Sequence, residues 1–240
     1  MDNFKVKLAG KEEVAERTMA FRFEKPAGFQ FKAGQCAELT LLNPSENDFE
    51  GASRTFSIAS APSHPELMFA TRMQDTAFKR VLKSSPIGTE ISLDGPMGSF
   101  TLHNDEKKDA IFLAGGIGIT PFRSIITDAV EQKPAHHLYM FYSNRRPEDA
   151  AFLDALFAAE KANPNFHFIP TMTAMEKSQR EWRGETAYID KAMLMRHLPA
   201  LDGPIYYIAG PPSLVRAMKK MLNAAEVNPD DVRTEEFGGY

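Results

Sequence analysis

The stretch Ile111-Phe112-Leu113-Ala114-Gly115-Gly116-Ile117-Gly118-Ile119-Thr120-Pro121 constrains this chain more than any other. An apolar run without alternation reads as a strand buried on both faces, as in a parallel sheet. The glycines let the backbone turn tightly and leave room for close approach. Thr120 reads as an N-cap and Pro121 as the first helical residue. Beyond them Phe122, Ile125, Ile126, Ala129 and Val130 share one helical face. Strand, glycine turn and helix together present free N–H groups at a positive helix end, which favours a phosphate. The dinucleotide fingerprint G-x-G-x-x-G does not fit: counted from Gly116, its third glycine falls on Pro121. The next strand ends in Tyr142-Ser143-Asn144, with no acidic residue for a ribose hydroxyl. On this loop alone, a tight turn without a ligand stays open.

Bulk properties remove several classes. A net charge of -4 over 240 residues argues against nucleic acid or a membrane surface as partner. No apolar run reaches the ~20 residues of a membrane span, and Met1-Asp2-Asn3 opens no signal peptide. The expectation is a soluble, cytoplasmic protein. The single Cys36 excludes an intramolecular disulfide and a cysteine-ligated iron–sulfur cluster within these residues. Cys36 reads as a packed small hydrophobe. The histidines show no metal-ligand spacing, so no metal site is expected.

Two grammars divide the chain. Before about residue 103, short alternating segments at Phe4, Val6 and Leu8, at Met19, Phe21 and Phe23, and at Leu39 and Leu41 are separated by turn signals. Segments 53–60, 67–72 and 90–93 add strands, and Thr76 caps a helix carrying Phe78, Val81 and Leu82. This reads as a small antiparallel barrel. The stretch 103–109 is a polar, charged joint. After it, strands at 111–114, 138–142, 166–172 and 205–209 alternate with helices, including one that carries Phe152 and one capped by Asp190. Four β-α units predict a doubly wound parallel sheet with its crevice at the strands' carboxyl ends. The expected division is 1–104 and 105–240.

Chemistry gathers at a few of these turns. Ala209-Gly210-Pro211-Pro212-Ser213 repeats the strand–turn–helix form and would flank the same crevice as the first glycine loop. Arg145 and Arg146 follow Ser143 and Asn144 at another strand end, either as a solvated surface pair or as phosphate ligands. In the barrel half, Arg54-Thr55-Phe56-Ser57 presents charge and hydrogen bonds from a strand, though Arg54 also reads as an edge charge. Arg72 ends the next strand, and the helix opening at Thr76 offers a second anion site.

Taken in order, Arg54-Thr55-Phe56-Ser57, Gly95-Pro96-Met97-Gly98-Ser99-Phe100, the 115–121 loop and Gly210-Pro211-Pro212 resemble the ferredoxin–NADP reductase superfamily over essentially the whole chain. The resemblance implies a six-stranded antiparallel flavin barrel followed by a Rossmann-like NAD(P)-binding α/β domain. It implies FAD contacts from Arg54, Thr55, Phe56 and Ser57, from Thr71, Arg72 and Met73, from Thr76, Ala77 and Phe78, and from Phe237. The nicotinamide nucleotide would meet Gly115, Gly116, Ile117, Gly118, Thr120 and Pro121, then Ser143, Asn144 and Arg145, then Gly210, Pro211 and Pro212. Ser57 beside the flavin and Glu236 as proton relay or nicotinamide contact are the catalytic candidates. Phe237 is the preferred stacking aromatic and Tyr240 a weaker one.

This sequence departs from the pattern in three ways. Phe56 replaces the usual tyrosine, Ala209 stands where plant-type members have cysteine, and no iron–sulfur cysteine cluster is present. The resemblance therefore implies a flavin-dependent NAD(P)H oxidoreductase passing electrons to a separate acceptor, such as a ferredoxin or an oxygenase component. The alternatives are a reductase that takes free flavin as substrate and a flavin-binding electron-transfer subunit of a larger complex. FMN in place of FAD stays open. Thr173-Ala174 and Thr186-Ala187 lack the arginine that holds a 2′-phosphate, which favours NADH over NADPH, although Arg145, Arg146, Arg180 and Arg183 are available to compensate.

Overall fold

The computed structural model describes residues 2–238; Tyr240 lies outside them. The first sheet is antiparallel, with strands β1 (Asp2–Ala15), β2 (Thr18–Glu24), β3 (Cys36–Leu41), β4 (Ser53–Ser57), β5 (Glu66–Arg72) and β6 (Glu90–Met97) in the order β4-β3-β6-β1-β2-β5. Its two ends approach where Ala59 N–H donates to the Met68 carbonyl at 2.7 Å and Met68 N–H to Ser60 Oγ at 3.1 Å, giving a barrel-like domain. Alternation sends Val6, Leu8, Phe21, Phe23, Leu39, Phe69, Ile91 and Leu93 into one core. Each fully buried ring there contributes about 1.5–3 kcal/mol. Helix α1 (Ala77–Ser84) closes one side, capped by Thr76 Oγ1 accepting from Lys79 N–H.

The second sheet is parallel. Strands β7 (Ala110–Gly115), β8 (Leu138–Asn144), β9 (Phe166–Met172), β10 (Ile205–Gly210) and β11 (Val232–Glu236) lie in the order β11-β10-β7-β8-β9. Helices α2 (Ile119–Gln132), α3 (Leu153–Ala162), α4 (Lys191–His197) and α5 (Pro212–Ala224) cover its faces, with separate apolar clusters on the two sides. The unalternating segments are buried on both faces: every residue of β7 and of β10 is buried. The winding reverses between β7 and β10, so the switch-point crevice opens beyond Gly115 and Gly210. Among the described residues, no helix is long and apolar enough to cross a membrane.

Several local expectations are corrected. Thr120 does not cap α2: residues 116–118 form a 3-10 turn that leads into the helix, and Thr120 Oγ1 donates back to the Ile117 carbonyl at 3.0 Å. The cap position is Gly118, and Pro121 lies in the first turn, where its missing N–H has no partner to lose. Phe152 precedes α3 with φ 62° instead of lying within it. The joint at 103–109 is not wholly solvated. His103 is buried, its N–H donates to the Tyr207 hydroxyl at 2.9 Å, and its Nε2 contacts the Lys108 carbonyl at 3.0 Å. Burial drives the His103 imidazole towards its neutral form. Helix α2 is also tied directly to the segment after β4, by Arg123 Nη1 to the Ala59 carbonyl at 2.5 Å and Ser124 Oγ to the Ser60 carbonyl at 2.6 Å.

Candidate functional site

Two cavities adjoin where the barrel meets the parallel sheet. The first, of about 390 Å³, is lined from the barrel by Cys36 on β3, by Arg54, Thr55, Phe56 and Ser57 on β4, and by Thr71 and Arg72 on β5. Thr76 and Lys79 at α1 border it, and Ile117, Thr120, Glu235, Glu236, Phe237 and Gly238 close it from the second domain. The other, of about 850 Å³, lies over the switch point against Gly115, Gly116, Ser143, Asn144, Arg145, Pro211 and Ser213. Arg72 borders both.

Five of the ten buried, unpartnered side-chain polar atoms among the described residues belong to residues lining these two cavities. Ser57 is 3% exposed and its Oγ has no partner; the same holds for Arg72 Nε and Glu235 Oε2 on the first cavity. On the second, both amide atoms of the buried Asn144 are unpartnered. Native structures leave few such groups, so several facing two connected cavities point to a polar ligand in each. Charge is perturbed here as well. Burial lifts the Glu235 carboxyl to about 7. Cys36 is pushed up first by burial and then by the charge of Glu235, so the thiol stays protonated.

The predicted residues distribute over these cavities unevenly. Thr71, Arg72, Thr76, Phe237 and the β4 quartet line the first, while Met73, Gly115, Gly116, Ser143, Asn144, Arg145 and Pro211 line the second. Ile117 and Thr120, expected on the nucleotide, face the first cavity. Ala77 and Phe78 are buried residues of α1's first turn, with the Phe78 ring 5.8 Å from Phe56 and beneath the Arg54 guanidinium at 5.4 Å. Pro121, Gly118 and Gly210 are buried, and with Pro212 they border neither cavity.

Gly118 serves packing. A Cβ there would lie 2.3 Å from the Ala209 carbonyl oxygen, so the 3-10 turn can cross β10 only at glycine. At Gly115 a Cβ would meet Leu214 Cδ1 at 2.8 Å. The glycine spacing therefore records how closely α2 and α5 enter the sheet, while Gly116, at φ 52°, borders the crevice.

Sequence reasoning missed Glu235, Cys36, Lys79 and Gln74 on the first cavity, and Arg17, Thr173, Tyr188 and Ser213 on the second. Glu235 and Glu236 are adjacent on β11, and alternation alone does not say which faces inward. The structure half-buries Glu235, with its Oε2 inaccessible, and exposes Glu236, although both border the cavity.

Comparison with known proteins agrees with this arrangement. Residues 112–220 match the oxidoreductase NAD-binding domain family. The phenol hydroxylase P5 protein of Acinetobacter pittii is 26% identical over 229 residues, covering 94% of this chain and 63% of that protein. The glycine betaine monooxygenase reductase subunit of Chromohalobacter salexigens is 28% identical over 225 residues, covering 92% of this chain and 60% of that protein. A ferredoxin NADP+ reductase from Neisseria gonorrhoeae, solved with bound FAD and NADP, superposes with a TM-score of 0.78 at 20% identity, covering 98% of each chain. At that identity the structural likeness establishes the two-domain fold of this chain. The layout, antiparallel barrel then parallel sheet, is shared with that solved structure. The chain spans about 60% of the length of the curated relatives it matches.

Proposed function

We propose that this chain is a flavin-dependent oxidoreductase that takes hydride from NAD(P)H and passes electrons to a separate acceptor. The observation that carries the reading is the pair of adjoining cavities, one on each domain, sharing Arg72 and facing the unpartnered Ser57, Glu235 and Asn144. In this reading FAD takes the barrel cavity and a nicotinamide nucleotide the switch-point cavity, which is lined largely by the matched NAD-binding region. Bound there, the flavin would accept two electrons with a hydride and release them singly or as a pair.

The chain's own groups bind, orient and hold protons. Ser57 Oγ offers a hydrogen bond to a ring edge, and Phe237 an aromatic face at the cavity mouth. Glu235, titrating at about 7, holds a proton below that pH and releases it above, the role expected of Glu236. Glu236 remains a contact for the nicotinamide at the more exposed rim. The backbone at Gly115 and Gly116 suits a pyrophosphate in the switch-point cavity, and the Asn144 amide suits a ribose or carboxamide. Excluding water at the ring contact is the protein's main contribution.

NADH is the preferred donor in this reading. Of the four arginines available to read a 2′-phosphate, only Arg145 borders the cavity. Arg146 is held by Asp149 at 2.8 Å and Glu16 at 2.6 Å. An oxygenase component is the favoured acceptor class, since one relative is named a monooxygenase reductase subunit. The reading includes a cytoplasmic location and a functional boundary at 104/105.

A second reading, flavin as an exchangeable substrate, is favoured by one observation. Arg54 Nη1 and Nη2 are already engaged by Glu50 and by three backbone carbonyls. An absorption spectrum of the chain with FAD, before and after anaerobic NADH and then NADPH, tests both. Prompt bleaching of retained flavin supports the first, and turnover only with added free flavin supports the second. Absence of any flavin-dependent NAD(P)H oxidation overturns both.

A further inference from the structure

Between β3 and β4 the chain makes an excursion, residues 42–52, bearing Glu46, Asp48 and Glu50. These three carboxylates fasten it to the barrel. Asp48 Oδ2 accepts the Ala77 N–H at 2.8 Å, at the opening turn of α1. Glu50 Oε2 takes Arg54 Nη2 at 2.6 Å, and Asp48 Oδ1 lies 3.7 Å from the same nitrogen. Glu46 pairs with Arg80 at 2.7 Å. The loop has no matching apolar anchor at its tip, since Phe49 is 99% exposed. Its ends carry left-handed residues, Asn43 at φ 49° and Gly51 at φ 76°. Charge rather than packing holds this loop down.

The donors it occupies border the cavity in which the flavin reading needs phosphate contacts: the N-terminus of α1 and the Arg54 guanidinium. A phosphate reaching either must displace a carboxylate or sit beside it at the cost of like-charge repulsion. A ligand without phosphate meets no such competition. Deeper in the same cavity, Ser57 Oγ, 3% exposed and unpartnered, and Glu235 Oε2 suit neutral hydrogen-bonding groups.

Resting on the flavin reading of this cavity, we propose that Asp48 and Glu50 are specificity-determining residues, an internal anion gate that opposes phosphorylated flavins and leaves unphosphorylated flavin unaffected. FAD and FMN bind only as the loop gives up Arg54 and Ala77; riboflavin binds with the loop in place. The gate thereby sets how exchangeable the flavin is.

The experiment titrates riboflavin, FMN and FAD into the unmodified chain and into Asp48→Asn/Glu50→Gln, following quenching of flavin fluorescence. Asparagine retains an oxygen for the Ala77 N–H, so the loop keeps its cap. The expected result is at least about a tenfold tighter Kd for FMN and FAD in the variant, with riboflavin within about twofold. Equal shifts for all three flavins, no shift, or weaker binding of FMN and FAD would overturn the gate. Glu50→Gln alone leaves the Asp48 cap intact and should move FMN and FAD in the same direction by a smaller factor. No shift in that variant also overturns the gate, whether or not the double variant folds. If the unmodified chain binds none of the three flavins, the flavin reading falls together with the gate. If it binds them and the variants change nothing, the gate alone falls.

Discussion

Replacing Glu235 with glutamine isolates the electrostatics of the barrel cavity. Burial lifts this carboxyl from 4.5 to about 7 in the folded chain, whereas the unfolded chain titrates it at its ordinary value. Between those values the folded protein holds a proton that the unfolded chain has released. Stability therefore falls as pH rises through the window and levels off above about 7. A pKa difference of about 2.5, at about 1.36 kcal/mol each, is a loss of at most ~3 kcal/mol. Glutamine is neutral throughout and removes that loss. Flavin-free Glu235→Gln should match the unmodified chain near pH 4 and exceed it by up to ~3 kcal/mol near pH 8.5. With a urea slope of ~3 kcal/mol/M, the gap in denaturation midpoint is about 1 M at the higher pH. A gap of the same size at both pH values would refute the burial argument, because only a pH-independent packing effect gives that pattern.

Three further outcomes follow from neighbouring contacts. The same substitution removes the charge that helps to raise Cys36, so its thiol should alkylate faster at about pH 8; an unchanged rate would mean Glu235 does not act on it. Gly118→Ala forces a methyl into the Ala209 backbone and should destabilise by about 1–3 kcal/mol in thermal melts, with an unchanged Tm counting against that close approach. Asp190→Ala deletes the 2.7 Å cap bond to Met193 N–H and should cost about 1 kcal/mol, read as a lower urea midpoint; Asp190→Asn should retain most of it.

The sequence made the framework legible where a single period dominated. The unbroken apolar runs at 111–114 and 205–209 could only be doubly covered strands, and both are wholly buried. Alternation in the first hundred residues likewise marked the barrel. What escaped was set by contacts between segments distant in sequence. His103 reads as part of a polar joint until Tyr207, on a strand 104 residues away, supplies its partner. Glu235 and Glu236 are equivalent as letters and differ only once β11 is registered beside β10. The loop carboxylates at 46–50 look like a solvated run, and nothing local says that Ala77 and Arg54 lie beneath them. The glycines announce a turn but not its whole purpose, since neighbouring backbone fills the space at Gly118.

Arg72 ends a barrel strand and borders both cavities, with an unpartnered Nε between them. One side chain common to two sites makes their binding equilibria a linked pair. Any occupant of the barrel cavity that draws the guanidinium towards itself alters what the switch-point cavity can offer. By thermodynamic reciprocity, the second occupant returns the effect by the same factor. Order of addition then cannot change the final affinity of the pair, and the size of that shared factor is written in where one arginine points.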